Sequence, residues 1–138
     1  MPTKDMYHAI VKNALIKDGW TITHDPLRLN WGTTIFYVDL GAEQLLAADK
    51  EDHKIAVEVK SFVGRWSMED LEKALGQYIL YRDIIEEVEP ERILYLAVHT
   101  DVFQDIFDEP VGRLLLRKNR LRLIVFDRRE EVIVRWSE

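Results

Sequence analysis

The chain has no cysteine, which excludes disulfides, thiol chemistry and any zinc site with sulfur ligands. Chemistry is left to carboxylates, histidine, lysine and hydroxyls. With 6 glycines and 4 prolines in 138 residues, it has too little of either for a collagen-like or low-complexity chain. No apolar run approaches the ~18 residues a membrane span needs, and Met1-Pro2-Thr3-Lys4-Asp5 lacks the apolar stretch of a signal peptide. The expectation is a cytoplasmic protein with no membrane partner. An excess of positive charge is missing too. Lys and Arg number 19 against 25 Asp and Glu, a net charge of −6, the wrong sign for gripping nucleic acid by overall field.

What is present is a globular composition, 47% hydrophobic and 32% charged, in a length that suits a single domain spanning 1–138. The charge is uneven. Residues 1–82 carry 10 basic against 12 acidic side chains, residues 83–110 carry 1 against 9, and residues 111–138 carry 8 against 4. An acidic middle and a basic tail suit two partners, one basic and one anionic, or are simply two solvated faces. Within the tail, Arg113, Arg117, Lys118 and Arg120 are the candidates for contact with nucleic-acid phosphates.

Hydrophobic spacing predicts the elements. Thr3 is a helix cap and Gly19 a stop, with Tyr7, Ile10, Val11, Ala14 and Leu15 at helical intervals between them. Trp20–Thr23 reads as a short strand ended by Asp25-Pro26. Ile35–Leu40, Glu43–Ala48 and Lys54–Phe62 read as a meander with a polar turn at Asp49–His53. Ser67 and Asp70 open a long amphipathic helix that ends near Glu89-Pro90, with Leu71, Ala74, Leu75, Tyr78, Ile79 and Ile85 as its stripe. The all-apolar Ile93–Val98 predicts a strand covered on both faces. Helices are expected at Asp101–Phe107 and Val111–Lys118, then strands at Leu121–Phe126 and Glu131–Trp136. The fold class is mixed α/β (α+β), a central mixed sheet flanked by helices, opening in the order αβββαβ.

The most informative stretch is Lys54–Phe62. On a strand, Ile55, Val57 and Val59 share one face while Ala56, Glu58 and Lys60 share the other. Charges among so many apolar neighbours are costly unless they pair, bind a cation or line a cleft. A second acid–x–Lys, Asp52-His53-Lys54, sits in the polar turn, where solvation explains it. Asp39 closes the apolar run before Gly41. Should the meander bring it beside Glu58, two hard oxygen ligands meet next to one lysine. That set suits Mg²⁺, which takes one or two carboxylates plus phosphate oxygens. The reaction it points to is metal-assisted phosphodiester hydrolysis, with Lys60 stabilising charge on the phosphate. The bland alternative is an ion-pair cluster on a sheet face. Gln77 and Tyr81, four apart on the long helix, share a face turned toward the sheet and suit either a substrate contact or buried hydrogen bonds.

The spacing of Asp39, Glu58-Val59-Lys60 and Gln77-Tyr78-Ile79-Leu80-Tyr81 resembles the PD-(D/E)XK nuclease superfamily, in particular its RecB-like branch with a Q-x-x-x-Y helix. The blocks Asp39–Glu43, Val57–Phe62, Ala74–Arg82 and Lys4–Trp20 resemble the XisH family, the fdxN-element excision controlling factors of cyanobacteria, over nearly the whole chain. The superfamily resemblance implies a restriction-endonuclease-like core, Asp39 and Glu58 as metal ligands with the Val59 carbonyl, and Lys60 as the catalytic lysine. Val38-Asp39 stands in place of its Pro-Asp dipeptide. Relatives carry a Glu or His near the metal on the first helix, and His8 is the histidine available there. Glu43 competes with Asp39: a hairpin turning at Asp49–His53 sets it opposite Val59–Lys60, where a cross-strand ion pair is the other reading. The family resemblance implies DNA as substrate or partner, a site-specific recombinase and an XisI-like companion protein alongside, and a homo- or hetero-oligomer. A controlling factor that keeps the nuclease fold but acts only through binding is the rival reading. Trp20, Trp31, Trp66 and Trp136 are expected in core or interfaces, and His24, His53 and His99 at the surface or in turns.

Overall fold

Tyr7, Val11, Ala14 and Leu15 fall on one side of a helix, and that side is buried in α1 (Lys4–Lys17). Gly19, at φ +93°, turns the chain out of it while the Trp20 amide donates to the Leu15 carbonyl across the turn. The computed structural model describes residues 4–46, 51–62, 67–118 and 120–137. Thr3, Trp66 and part of the expected turn at 49–53 lie outside these.

Beyond α1 come β1 (Thr21–His24), β2 (Leu27–Trp31), β3 (Thr34–Val38), β4 (Leu40–Leu46) and β5 (Glu51–Val59), then α2 (Met68–Val88) and β6 (Arg92–His99). α3 (Thr100–Val102) runs into a π-helical turn at Phe103–Phe107 where one helix was expected, followed by α4 (Pro110–Arg117), β7 (Leu123–Asp127) and β8 (Val132–Ser137). The main sheet has the order β1-β4-β5-β6-β7-β8, antiparallel at both sides and parallel through β5, β6 and β7. This is the mixed sheet that the sequence predicts. With the hairpin β2–β3 set aside, the main-sheet elements open as αβββαβ.

The hairpin is the departure. Leu27–Trp31 carries only two alternating leucines between Pro26 and Gly32, too short a pattern to read as a strand, yet it pairs with β3 from Leu27↔Val38 to Trp31↔Thr34. The expected strand Ile35–Leu40 is therefore cut at Asp39: β3 belongs to the hairpin, β4 to the main sheet, and Asp39 is the corner between them.

Two cores result, one on each face of the sheet. Leu40, Ala42, Ile55, Val57, Val59, Tyr95 and Phe126 pack with α1. Ala56, Leu94, Leu96 and Val125 pack with Leu71, Tyr78 and Ile85 of α2 and with the hairpin's Leu27, Leu29 and Val38. The period-2 alternation expected for β5 is thus observed. α2 begins at the predicted capping box: the Asp70 amide donates to Ser67 Oγ and the Ser67 amide to Asp70 Oδ2. Tyr78 fixes its height over the sheet, donating to the Leu94 carbonyl and accepting from the Arg122 amide.

Candidate active site at the end of strand β5

Glu58 points to the α2 face and is 6% exposed. A carboxylate in such a place needs donors. Its Oε1 accepts from the Asp39 amide at 3.1 Å, and Lys60 Nζ stands 3.7 Å from Oε2. Asp39 returns the contact: its Oδ2 accepts from the Val59 amide at 2.8 Å. Each acid thus bonds the other strand's backbone where β4 and β5 meet, one step past the Leu40↔Val57 pair. The predicted convergence of Asp39, Glu58 and Lys60 is present. It follows from the corner at Asp39, which brings the chain from hairpin to sheet opposite Glu58.

The electrostatics are out of balance. Burial pushes the Glu58 carboxyl up and the Asp39 charge pushes it further; Lys60 pulls it back only in part, leaving it at about 7. Tyr81 of α2 lies close by, its phenol pushed up by burial and by the charge on Glu58. Gln77 Nε2 donates to the Tyr81 hydroxyl at 3.0 Å, so the predicted pair sits together against the carboxylates, bonded to each other.

Past β5 the chain leaves the sheet at Phe62, whose φ of +45° lies in the left-handed region. The turn opens a cleft of about 480 Å³ lined by Lys60, Ser61, Phe62, Asp70, Lys73 and Gln77. Sequence reasoning missed Asp70 and Lys73 as lining residues. The signal was available, because positions 70, 73, 74, 77 and 81 continue one helix face. A slightly larger cleft, about 500 Å³, lies at the other end of β5 beside His53 and Lys54, away from Asp39 and Glu58.

Other candidates fall elsewhere. Glu43 pairs with Lys54, not with Val59–Lys60, because the strands are in register from Leu40↔Val57. It lies on the order of 13 Å along the strand from Glu58, with Arg92 Nη2 at 3.9 Å. Asp52-His53-Lys54 belongs to β5, not to a turn. His8 is on α1, which packs on the opposite face, with Nε2 2.7 Å from Asp25 Oδ1; Lys12 Nζ is 2.8 Å from Oδ2 of the same acid and holds it below its ordinary pKa. His99 is buried, contrary to expectation, stacked on Tyr7 at 5.4 Å between ring centroids, and burial pushes its pKa down. Arg113, Arg117, Lys118 and Arg120 are all exposed on or just after α4, Arg113 paired with Asp108 at 2.9 Å. Trp20 and Trp136 pack together, as expected, but Trp31 is exposed.

No three His, Cys, Asp or Glu side chains come together among the described residues. Mg²⁺ needs fewer, being held by one or two carboxylates with waters and phosphate oxygens. Asp39 Oδ1 and Glu58 Oε2 are not engaged by the backbone bonds above, and both are hard oxygens, that of Glu58 with Lys60 Nζ 3.7 Å away. The two carboxylates fit such a cation.

The sequence model of the XisH family, described as XisH protein, matches residues 1–134. The chain belongs to the XisH family. Two crystal structures are similar to it over their full length. An XisH family protein from Nostoc punctiforme PCC 73102 is 38% identical, with a TM-score of 0.86 over 97% of this chain and 100% of that one. A fdxN element excision controlling factor protein from Anabaena variabilis is 38% identical, with a TM-score of 0.88 over 98% of this chain and 100% of that one. No curated protein matches. No helix among the described residues is long and apolar enough to cross a membrane.

Proposed function

We propose that this XisH protein controls excision of a DNA element and that Asp39, Glu58 and Lys60 form a nuclease site of the PD-(D/E)XK kind, cutting phosphodiester bonds. The observation that carries the reading is the buried Glu58 carboxylate held against Asp39 with a single lysine at 3.7 Å. A purely structural cluster is expected to balance its charge; this one is left in want of a cation. The excision role rests on the relative from Anabaena variabilis.

Asp39, Glu58 and the Val59 carbonyl hold the metal. Bound Mg²⁺ supplies a polarised phosphate oxygen and a water of lowered pKa. Lys60, at the mouth of the cleft, places its ammonium where charge builds on the phosphate in the transition state. Gln77 pins the Tyr81 hydroxyl beside the carboxylates, and the packed core behind Glu58 keeps bulk water from screening them. The exposed Arg113, Arg117, Lys118 and Arg120 offer salt-sensitive phosphate contacts.

The test is a nicking assay on paired, gapped and branched DNA with and without Mg²⁺, using wild type, Glu58→Ala and Lys60→Ala. Metal-dependent nicking by the wild type alone is expected. Mutant activity equal to wild type sinks the proposal.

A second reading, a catalytically silent regulator that binds the recombinase or an XisI-like companion, is favoured by a different observation. Exposed Glu86 and Glu87 stand in the last turn of α2, which carries no basic residue. Acids there oppose the helix dipole, a stability cost that a basic partner surface offsets. Complementation separates the two: a Lys60→Ala protein that still supports excision in cells favours binding over catalysis.

A further inference from the structure

We infer that the β2–β3 hairpin is a DNA-contacting arm that stacks on unpaired bases next to the carboxylate site, so that the substrate class is DNA with bases out of the helix, at a gap, fork or junction. This rests on the nuclease reading and deepens it.

The hairpin has two unlike faces. Leu27, Leu29 and Val38 are buried against the α2-side core, and Phe36 packs edge-on against Tyr81 with 6.0 Å between centroids. The outward face carries Arg28 opposite Tyr37 and Asn30 opposite Ile35, with Arg28 Nε donating to Asn30 Oδ1 at 3.1 Å. Tyr37 is 53% exposed, Ile35 46% and, at the tip, Trp31 51%. Tyr37 and Ile35 share the outward face, and Trp31, in register with Leu27 and Leu29 but beyond the core, adds an exposed ring at the tip, so that three large apolar side chains stand in water within seven residues.

The chemistry of that surface favours nucleic acid. Residues 26–38 contain no acid, in a chain with 25 acids and a net charge of −6. A guanidinium, an amide and two aromatic rings are the groups that track a phosphate backbone and stack on bases. Position decides the rest. The hairpin ends at Val38, so it leads directly into Asp39, and Phe36 rests on Tyr81, whose hydroxyl accepts from Gln77 of the cleft wall. Rings stack only on bases that have left their own helix, and hence the preference for interrupted duplex.

Binding is measured by fluorescence anisotropy of labelled gapped DNA and fully paired duplex, in EDTA so that nothing is cut, with the full chain and its Tyr37→Ala, Tyr37→Phe and Trp31→Ala variants. One stacked base is worth roughly 5- to 150-fold in affinity. Tyr37→Ala and Trp31→Ala each weaken binding to gapped DNA at least fivefold and leave duplex binding within twofold. Tyr37→Phe, which keeps the ring, binds like wild type. All three melt with the wild type, since these side chains are exposed. Equal binding by Tyr37→Ala and Trp31→Ala, or equal losses on both DNAs, overturns the inference and leaves the nuclease reading standing. Loss of an oligomer on sedimentation with DNA affinity unchanged overturns it in favour of a second copy of this chain on the hairpin. A wild type that binds no DNA overturns both.

Discussion

Two clusters of charge occupy the same face of the sheet, one at each end of β5, and they are balanced differently. At the start of the strand every nitrogen of the Arg92 guanidinium has a partner: Nε meets Glu89 at 2.6 Å, Nη1 donates to the Ile55 carbonyl at 2.8 Å, and Nη2 lies 3.9 Å from Glu43. Lys54 is paired nearby with Glu91 at 3.7 Å. At the end of the strand the lone lysine is Lys60, 3.7 Å from Glu58, and burial together with the charge on Asp39 pushes Glu58 up to about 7. Each end of β5 also carries an acid–x–Lys in sequence, Asp52-His53-Lys54 and Glu58-Val59-Lys60. The lesson is that balance, not the presence of charge, separates a cluster that holds the sheet from one that is a candidate for a ligand.

The contrast breaks most visibly at Arg92. Arg92→Met strips a buried cation from two acids and a carbonyl, and a loss of about 3–5 kcal/mol of stability is expected in urea unfolding, while the protein that remains folded keeps its cleavage rate. A loss under about 1 kcal/mol makes the first cluster as dispensable as a surface pair. The mirror experiment is Lys60→Ala. It is expected to slow metal-dependent nicking about 10²–10³-fold, the cost of removing one donor to a developing oxyanion, with melting little changed because the lysine is half-buried and holds no backbone. Lost folding with intact nicking reverses the assignment of the two clusters.

Most of this is legible in the sequence. The alternation of β5 put Glu58 and Lys60 on one face, the capping box set the start of α2, and the four-residue step from Gln77 to Tyr81 set both against the sheet. What was hidden was register and connection. Glu43 was placed opposite Val59–Lys60 from a guessed turn, and a shift of the pairing moved it opposite Lys54. The hairpin has little signature in sequence because Leu27 and Leu29 alone make a weak alternation, so the expected strand Ile35–Leu40 runs through Asp39, which in the structure is the corner between two sheets. Arg92 was passed over because a lone arginine at the start of an apolar strand gives no sign that three elements converge on its guanidinium. His99 closes a strand and was read as surface, although α1 and its Tyr7 cover it.

The imbalance itself is titratable. With its pKa at about 7 in the fold, against an ordinary 4.5, Glu58 retains a proton in the folded protein that the unfolded chain has already released. Its contribution to stability therefore declines as pH rises from about 4.5 to about 7 and is level above that. Glu58→Gln keeps the shape and the acceptor for the Asp39 amide but removes the charge. In EDTA it is expected to be more stable than wild type at pH 8, by at most about 3 kcal/mol, and equal to it at pH 4, with urea midpoints as the measure. Added Mg²⁺ narrows the difference at pH 8, since only the wild type gains from the metal. A variant that loses ground as pH rises means that Lys60 outweighs burial and Asp39 together and that the second cluster is balanced after all.

The smallest effect is expected at Glu43, and it sharpens the comparison most cheaply. The residue has an acidic side chain, it follows Asp39 by four positions, and in sequence it competes with Asp39 for the metal. In the structure its carboxylate is part-exposed and 3.9 Å from a guanidinium already held by Glu89 and Ile55. Glu43→Gln therefore removes only the weakest of three contacts to Arg92, costing no more than about 1 kcal/mol, and leaves nicking within twofold of wild type. Asp39→Asn, beside the same strand pair, removes a carboxylate from the proposed metal set and is expected to nick no faster than Lys60→Ala. If the two substitutions change places, the pairing of Glu43 with Lys54 cannot be the register of the working protein, because only a slide of β4 along β5 carries Glu43 to Glu58.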